Sequence, residues 1–300
     1  MKLGYIGMGT MGLPMAANLM AAGHELMVYN RTSARSDALV AKGATRAESA
    51  VELTAAVEVT MLCLATPPIC EEVLLGPDGV IAAMPAGTLL IDFSSNGPDT
   101  AGRCDEAAAA GGVGFLDAPV SGGPGGAESG TLAIMVGGRD DDFARAAPLL
   151  DIMGGAVHHM GGVGAGSVAK IANQLIVGTS LAVLGEAFVM AAKYGLDVRQ
   201  LYEVLMASSS GSKAMERNVG GKILQRDFSP DFSVDLLSKD LGLAMDLARQ
   251  TGTRSAAGAM ADMLLREARA LGYGGEDIAA AVQVLEDLAG TRVESRGESG

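Results

Sequence analysis

The sequence predicts an α/β fold: a doubly wound, mostly parallel sheet followed by a separate all-α domain that is entered through a long helix. Three observations carry this expectation. Short apolar runs alternate with helical segments up to about residue 160, strand signals vanish from Gly164 onward, and the chain opens with a strand, a glycine turn and a helix in immediate succession.

The opening strand is Lys2-Leu3-Gly4-Tyr5-Ile6, and the turn is Gly7-Met8-Gly9-Thr10-Met11-Gly12, which leads into Leu13-Pro14-Met15-Ala16-Ala17-Asn18-Leu19. This is the order that a dinucleotide pyrophosphate requires. Gly7 permits the tight turn, Gly9 removes the side chain where phosphate approaches the backbone, and Gly12 lets the helix pack closely on the strand, while the helix N-terminus faces the phosphates. A second strand, Glu25 to Tyr29, follows one helix later and delivers Asn30, Arg31 and Thr32 to the place of an adenosine ribose. Val57 to Leu64, Thr88 to Asp92, Val113 to Leu116, Leu132 to Val136 and Val157 to Met160 read as the later strands of this Rossmann-type sheet.

The first domain is therefore expected over 1–163, with its boundary in the glycine run Gly161 to Gly166. Helical patterns then cover roughly 165–194, 197–207, 212–223, 234–252, 255–271 and 276–289, giving an all-helical substrate and oligomerisation domain over 164–290. The polar tail, 291–300, is expected to be disordered. A helix of about thirty residues is roughly 45 Å long. One small domain cannot cover that length, so a homodimer or homotetramer is expected.

Composition narrows the function. Three hundred residues that are 49% hydrophobic suffice for well-packed cores. A net charge of -13 and a pI near 4.6 argue against a nucleic-acid surface or an anionic membrane. An anionic ligand must therefore be held by a few local cations and backbone amides. Cys63, Cys70 and Cys104 cannot all pair with one another, and with His24, His158 and His159 they show no metal-site spacing, so no metal is expected. The chain opens on a strand without a charged leader and apolar segment, which favours a cytoplasmic protein. Leu175 to Ala192 is apolar, but Glu186, Gly178 and Gly185 interrupt it, so it reads as a helix buried between domains or subunits rather than a membrane span.

Three further segments can carry chemistry. In Asp117-Ala118-Pro119-Val120-Ser121-Gly122-Gly123, the Ser121 hydroxyl and neighbouring amides suit a small carboxylate. Lys170 and Asn173 share one helix face at i,i+3 spacing, and Lys239-Asp240 sits between leucines. Taken alone, each lysine reads more readily as a solvated surface charge.

Taken together, these segments resemble the 3-hydroxyisobutyrate dehydrogenase family, the beta-hydroxyacid dehydrogenases that include tartronate semialdehyde reductases and related semialdehyde and glyoxylate reductases. The resemblance extends to about residue 290 and rests on Gly4 to Gly12, Asp117 to Gly123, Gly166 to Gln174 and Leu237 to Leu241. It implies an oxidoreductase that moves hydride between a nicotinamide cofactor and a short 3-hydroxy acid or its semialdehyde. Lys170 is then the general acid or base, Ser121, Gly122 and Gly123 hold the substrate carboxylate, Asn173 orients the substrate, and Lys239 approaches the cofactor. A protonated lysine suits the reduction, because negative charge gathers on the carbonyl oxygen as hydride arrives.

Cofactor contacts are expected from Gly7, Met8, Gly9, Thr10, Met11 and Gly12, from Asn30, Arg31 and Thr32, and from Leu64, Ala65, Ser95 and Asn96 at strand ends. Many relatives have Leu-Pro at Leu64-Ala65 and Ser-Thr at Ser94-Ser95, so those loops depart from the common pattern. NAD-preferring domains usually end the second strand with Asp or Glu. Arg31 and Thr32 in that place favour NADP(H) over NAD(H). An imine reductase shares the glycine turn and the arginine but generally lacks the lysine and the Asp-Ala-Pro-Val-Ser-Gly-Gly segment. A non-catalytic cofactor-binding module of the same fold would usually have lost the lysine as well.

Overall fold

The computed structural model describes residues 1–294. By packing, the chain divides into two compact units, Met1–Lys170 and the part from Ile171 onward. In the first unit the strands are β1 (Lys2–Ile6), β2 (Glu25–Tyr29), β3 (Thr45–Arg46), β4 (Val59–Leu62), β5 (Leu89–Asp92), β6 (Gly114–Asp117), β7 (Val120–Ser121), β8 (Leu132–Gly138) and β9 (Gly154–Gly161). Their order in the sheet is β3-β2-β1-β4-β5-β6-β8-β7, with β9 paired to β8. Strands β1 to β6 run parallel, and β8 turns antiparallel against β6. The order reverses at β1, where β2 lies on one side and β4 on the other, so the loops at the carboxyl ends of these strands open a crevice there.

Both faces of the sheet are covered, which explains the unbroken apolar character of its strands. Leu3 and Tyr5 of β1 join one core with Leu89 and Ile91 of β5, whereas Ile6 joins the opposite core with Leu62, Leu90 and Phe115. The alternation follows from side chains pointing to opposite faces along a strand. The two-residue strands β3 and β7 are too short for periodicity to reveal, and β9 extends beyond the Val157–Met160 expected from sequence.

The long helix Ala165–Tyr194 begins four residues after β9 ends. In the second unit, Leu181, Leu184, Phe188 and Val189 of this helix pack into two cores with the helices Val198–Met206, Val234–Thr251, Ala256–Ala270 and Val282–Ala289. Among the described residues this helix alone has the length and hydropathy to cross a membrane, and 39% of its apolar window is buried. Ile176, Val183 and Met190, spaced by seven residues, are 66%, 62% and 70% exposed.

The helix expected over 276–289 is shorter, a 3-10 turn Ile278–Ala281 leading into the α-helix Val282–Ala289, and two further expectations need correction. The helix expected over 212–223 breaks into a short turn Lys213–Met215, a π-helical stretch Glu216–Gly220 and a 3-10 turn Ile223–Gln225. Gly220 lies so close under the Tyr202 ring that no side chain fits there, and Arg217 reaches across to the buried Asp277 at 2.9 Å. These tertiary contacts override the helical pattern. The tail expected to be disordered from 291 is instead packed at its start: Val293 is fully buried and its N–H donates to Glu286 Oε1 at 2.7 Å. Residues 295–300 of that tail lie outside the described residues.

Candidate active site

The glycine turn takes the expected form. Gly7 has φ +97°, and a Cβ there would overlap the Cys63 carbonyl oxygen, while a Cβ on Gly12 would overlap the Gly7 carbonyl oxygen. A Cβ on Gly9 would meet nothing within 4 Å, so open space lies where a pyrophosphate would approach the backbone. The helix that follows, Gly12–Ala21, has no acidic residue in its first turn. Its positive end is thus available to an anion. Thr10 is exposed and Met8 is buried.

Asn30, expected at the ribose, braces the turn itself. Its Oδ1 accepts from Met8 N–H at 2.9 Å and its Nδ2 donates to the Thr32 carbonyl at 2.8 Å, while Arg31 and Thr32 stay exposed. The loops after β4 and β5 are braced in turn: Leu64 N–H donates to Ser94 Oγ at 2.9 Å. Asp92, which ends β5, accepts from Ser94 N–H at 2.8 Å and from Asn96 Nδ2 at 2.7 Å. The Asn96 side chain, expected on the cofactor, is therefore turned inward and buried. Ser95 and Ala65 stand on the same two loops.

Asp92 is itself buried, and burial pushes its carboxyl up to about 6 against the pull of those donors. Its neighbour in register across the sheet is Asp117, which ends β6. Asp117 accepts from the N–H of Gly164 at 2.8 Å and of Ser167 at 2.7 Å, the groups that open the long helix. Burial raises the Asp117 carboxyl as well, opposed by these backbone donors. Beyond Asp117 the chain turns into Val120–Ser121 and then Gly122 and Gly123, both with positive φ, at the start of helix Gly123–Ser129. Lys170 is only 8% exposed, which removes the reading of a solvated surface charge.

In the second unit, Asn173 and Lys239 are joined by a polar chain. Asn173 Nδ2 donates to Gln174 Oε1 at 2.9 Å, Gln174 Nε2 donates to Asp240 Oδ2 at 2.6 Å, and Lys239 Nζ pairs with Asp240 Oδ1 at 2.8 Å. Gln174 and Asp240 are buried. Sequence reading passed over Asp92 and the bonding roles of Ser94, Asp117 and Gln174. The available signal was a carboxylate closing an otherwise apolar strand, a buried position that demands partners. The serine run Ser208–Ser212 acts locally: Ser208 Oγ bonds back to the Val204 carbonyl, and Ser212 Oγ caps the next helix by accepting from Met215 N–H at 3.2 Å.

Comparison with known proteins decides the family. Residues 2–162 match the NAD binding domain of 6-phosphogluconate dehydrogenase, and residues 164–285 match the domain described as NAD-binding of NADP-dependent 3-hydroxyisobutyrate dehydrogenase. The 2-(hydroxymethyl)glutarate dehydrogenase of Eubacterium barkeri is 39% identical over 97% of both chains. The chain belongs to the 3-hydroxyisobutyrate dehydrogenase family. It is an NAD(P)-dependent oxidoreductase of the beta-hydroxyacid dehydrogenase type. The 3-hydroxyisobutyrate dehydrogenase of Pseudomonas aeruginosa is 41% identical over 86% of this chain and 89% of its own. The Mycobacterium tuberculosis 3-hydroxyisobutyrate dehydrogenase solved with L-serine superposes with a TM-score of 0.87 at 33% identity, covering 95% of this chain and 98% of its own. An imine reductase from Pseudomonas sp. shares the fold at 20% identity and a TM-score of 0.62, over 95% of this chain and 99% of its own.

Proposed function

We propose that this family member moves hydride between NADP(H) and a short carboxylate-bearing 3-hydroxy acid or its semialdehyde, with Lys170 as the general acid and base. The observation that carries the reading is the burial of Lys170 on a helix whose first turn is bonded to the strand that leads into the Ser121–Gly123 loop. The cofactor supplies or accepts the hydride when bound. In the reducing direction Lys170 Nζ gives its proton to the substrate oxygen as negative charge develops there, and in the oxidising direction it takes the proton from the hydroxyl. Ser121 Oγ and the amides of Gly122 and Gly123 hold the carboxylate, and Asn173 orients the hydroxyl-bearing carbon. The relatives' names, 2-(hydroxymethyl)glutarate and 3-hydroxyisobutyrate, support a substrate whose hydroxyl-bearing carbon is adjacent to the carbon that bears a carboxylate.

The preference for NADP(H) rests on the end of β2. The Asn30 oxygen is taken by Met8 N–H, no carboxylate stands at positions 30–32, and the exposed Arg31 and Thr32 can meet a 2'-phosphate. Lys239 belongs on the nicotinamide side of this reading, held by Asp240. The thiols of Cys70 and Cys104, buried and with pKa values pushed up to about 12 chiefly by burial, suit a reducing, cytoplasmic setting. A second copy of the chain is the natural cover for the Ile176–Val183–Met190 stripe, because the opposite side of the helix is already packed and the exposed Glu186 would be costly in lipid.

The test is the initial rate of NADPH and NADH oxidation with succinic semialdehyde, glyoxylate, methylmalonate semialdehyde and tartronate semialdehyde. Turnover of one of them with NADPH preferred is expected, and Arg31→Glu should erase that preference by roughly 10-fold or more, the value of a charge-assisted contact. Equal use of NADH and NADPH by the unaltered protein would contradict the cofactor assignment. No turnover of methylmalonate semialdehyde or tartronate semialdehyde, the two whose aldehyde carbon is next to the carboxylate-bearing carbon, would contradict the substrate class.

A further inference from the structure

We propose that Asp117 is a positioning residue for Lys170, setting the height and direction of the lysine's helical turn against the loop that holds the substrate carboxylate. The proposal rests on the reading of Lys170 as the general acid and base.

The geometry is that of a carboxylate used as a bracket. Asp117 sits at the carboxyl end of β6, is 3% exposed, and offers one oxygen to each of two backbone N–H groups, those of Gly164 and Ser167 at 2.8 and 2.7 Å. These are orphan donors of the first turn of the helix Ala165–Tyr194, which have no partner within the helix. Two bonds to one rigid group fix both the axial position and the rotation of that turn. Lys170 follows Ser167 by three residues, about 4.5 Å along the axis. Its Cα is thus placed by the bracket with less than one turn of helix between them.

The same turn is pressed on the sheet with no side chain in between. A Cβ on Gly166 would overlap the carbonyl oxygens of Met135 and Asp117, and a Cβ on Gly137 would overlap Asp117 Oδ1. The helix start can approach this closely because both positions are glycine, and the close approach brings the N–H groups within reach of a short aspartate. The negative charge also lies at the positive end of the helix, which favours the ionised bracket.

On its other side Asp117 is tied to the substrate loop by the chain itself. Ala118 N–H donates to the Asp92 carbonyl at 2.7 Å, Met135 N–H donates to the Pro119 carbonyl at 3.0 Å, and Ser121 follows within four residues of Asp117. One residue therefore fixes the proton donor relative to the group that grips the substrate. Misplacement of a catalytic group by about 1 Å costs on the order of 100-fold in rate, so a residue that touches neither substrate nor cofactor can still control turnover.

The test is a double-mutant cycle on kcat with Asp117→Asn and Lys170→Ala, using the aldehyde acid turned over fastest in the panel above, with NADPH affinity read separately by fluorescence titration. Asp117→Asn keeps the size of the side chain but turns an amide N–H toward a backbone N–H. Alone it should lower kcat by roughly 10- to 100-fold while the Kd for NADPH stays within about twofold. In the Lys170→Ala background the same change should alter kcat by less than about twofold, because no lysine remains to position. Effects that multiply in the double variant would overturn the positioning role while leaving Lys170 as the general acid. A Lys170→Ala rate within about threefold of the parent would overturn the reading beneath it as well, since a positioned acid contributes about 10²-fold or more. Should Asp117→Asn not fold, Gly166→Ala displaces the same turn with the carboxylate intact, and the same non-additivity with Lys170→Ala is required of it.

Discussion

Asp92 and Asp117 end neighbouring strands at the same level of the sheet, and both are buried, yet they hold different kinds of partner. One of the donors to Asp92 is the side-chain amide of Asn96, whose own Oδ1 is buried without a partner. Rotation of that amide would present an acceptor to a protonated or amidated residue 92. Asp117 meets two backbone N–H groups that can only donate, with the Ser167 hydroxyl beside them. The difference teaches that two carboxylates alike in burial and in place differ in replaceability, because replaceability belongs to the partners. The expectation is that Asp92, which braces the loop after β5, tolerates neutralisation, whereas Asp117, which braces the turn that leads to Lys170, does not.

The largest effect that sharpens this contrast is a pH dependence. The Asp92 carboxyl is raised from 3.8 to about 6, chiefly by burial, so the folded state holds a proton there that the unfolded chain has already released. Its stabilising contribution is complete below about 4 and is lost as pH rises through about 6, a change on the order of 3 kcal/mol for a shift of about two units. Asp92→Asn should therefore match the parent in urea unfolding near pH 4 and exceed it by up to about 3 kcal/mol at pH 7. A variant less stable than the parent at pH 7 would break the contrast. Smaller and opposite in sign is Asp117→Asn. It should cost about 2 kcal/mol at pH 7, because a charge-assisted bond is lost and two donors are set face to face. A neutral outcome by the same unfolding measurement would show that the helix start does not depend on its bracket.

Much of this was legible in the sequence, for reasons that can be stated. The glycine turn could be read because Gly7 and Gly12 occupy places where a Cβ would strike backbone, and backbone geometry constrains residue type tightly. The strand and helix order followed from apolar periodicity, and the long helix was visible from end to end. The bond from the Asn96 side chain to Asp92 was not legible, because a polar residue in a loop looks alike whether it faces a ligand or a buried carboxylate; only the fold shows that its amide turns toward Asp92. The broken helix after Ser212 was invisible for the same kind of reason, since its cause is Tyr202 lying over Gly220 and Arg217 reaching Asp277, all distant in sequence or short of a pattern. Lys170 was ambiguous as a residue and became specific through the neighbouring motifs, and its burial agrees with them.

The central claim is that Lys170 moves the proton, and the most direct measurement is kcat of Lys170→Ala with NADPH and the preferred aldehyde acid. A fall of about 100-fold or more with NADPH affinity retained is the predicted result. A rate within about threefold of the parent, with cofactor still bound, would contradict it.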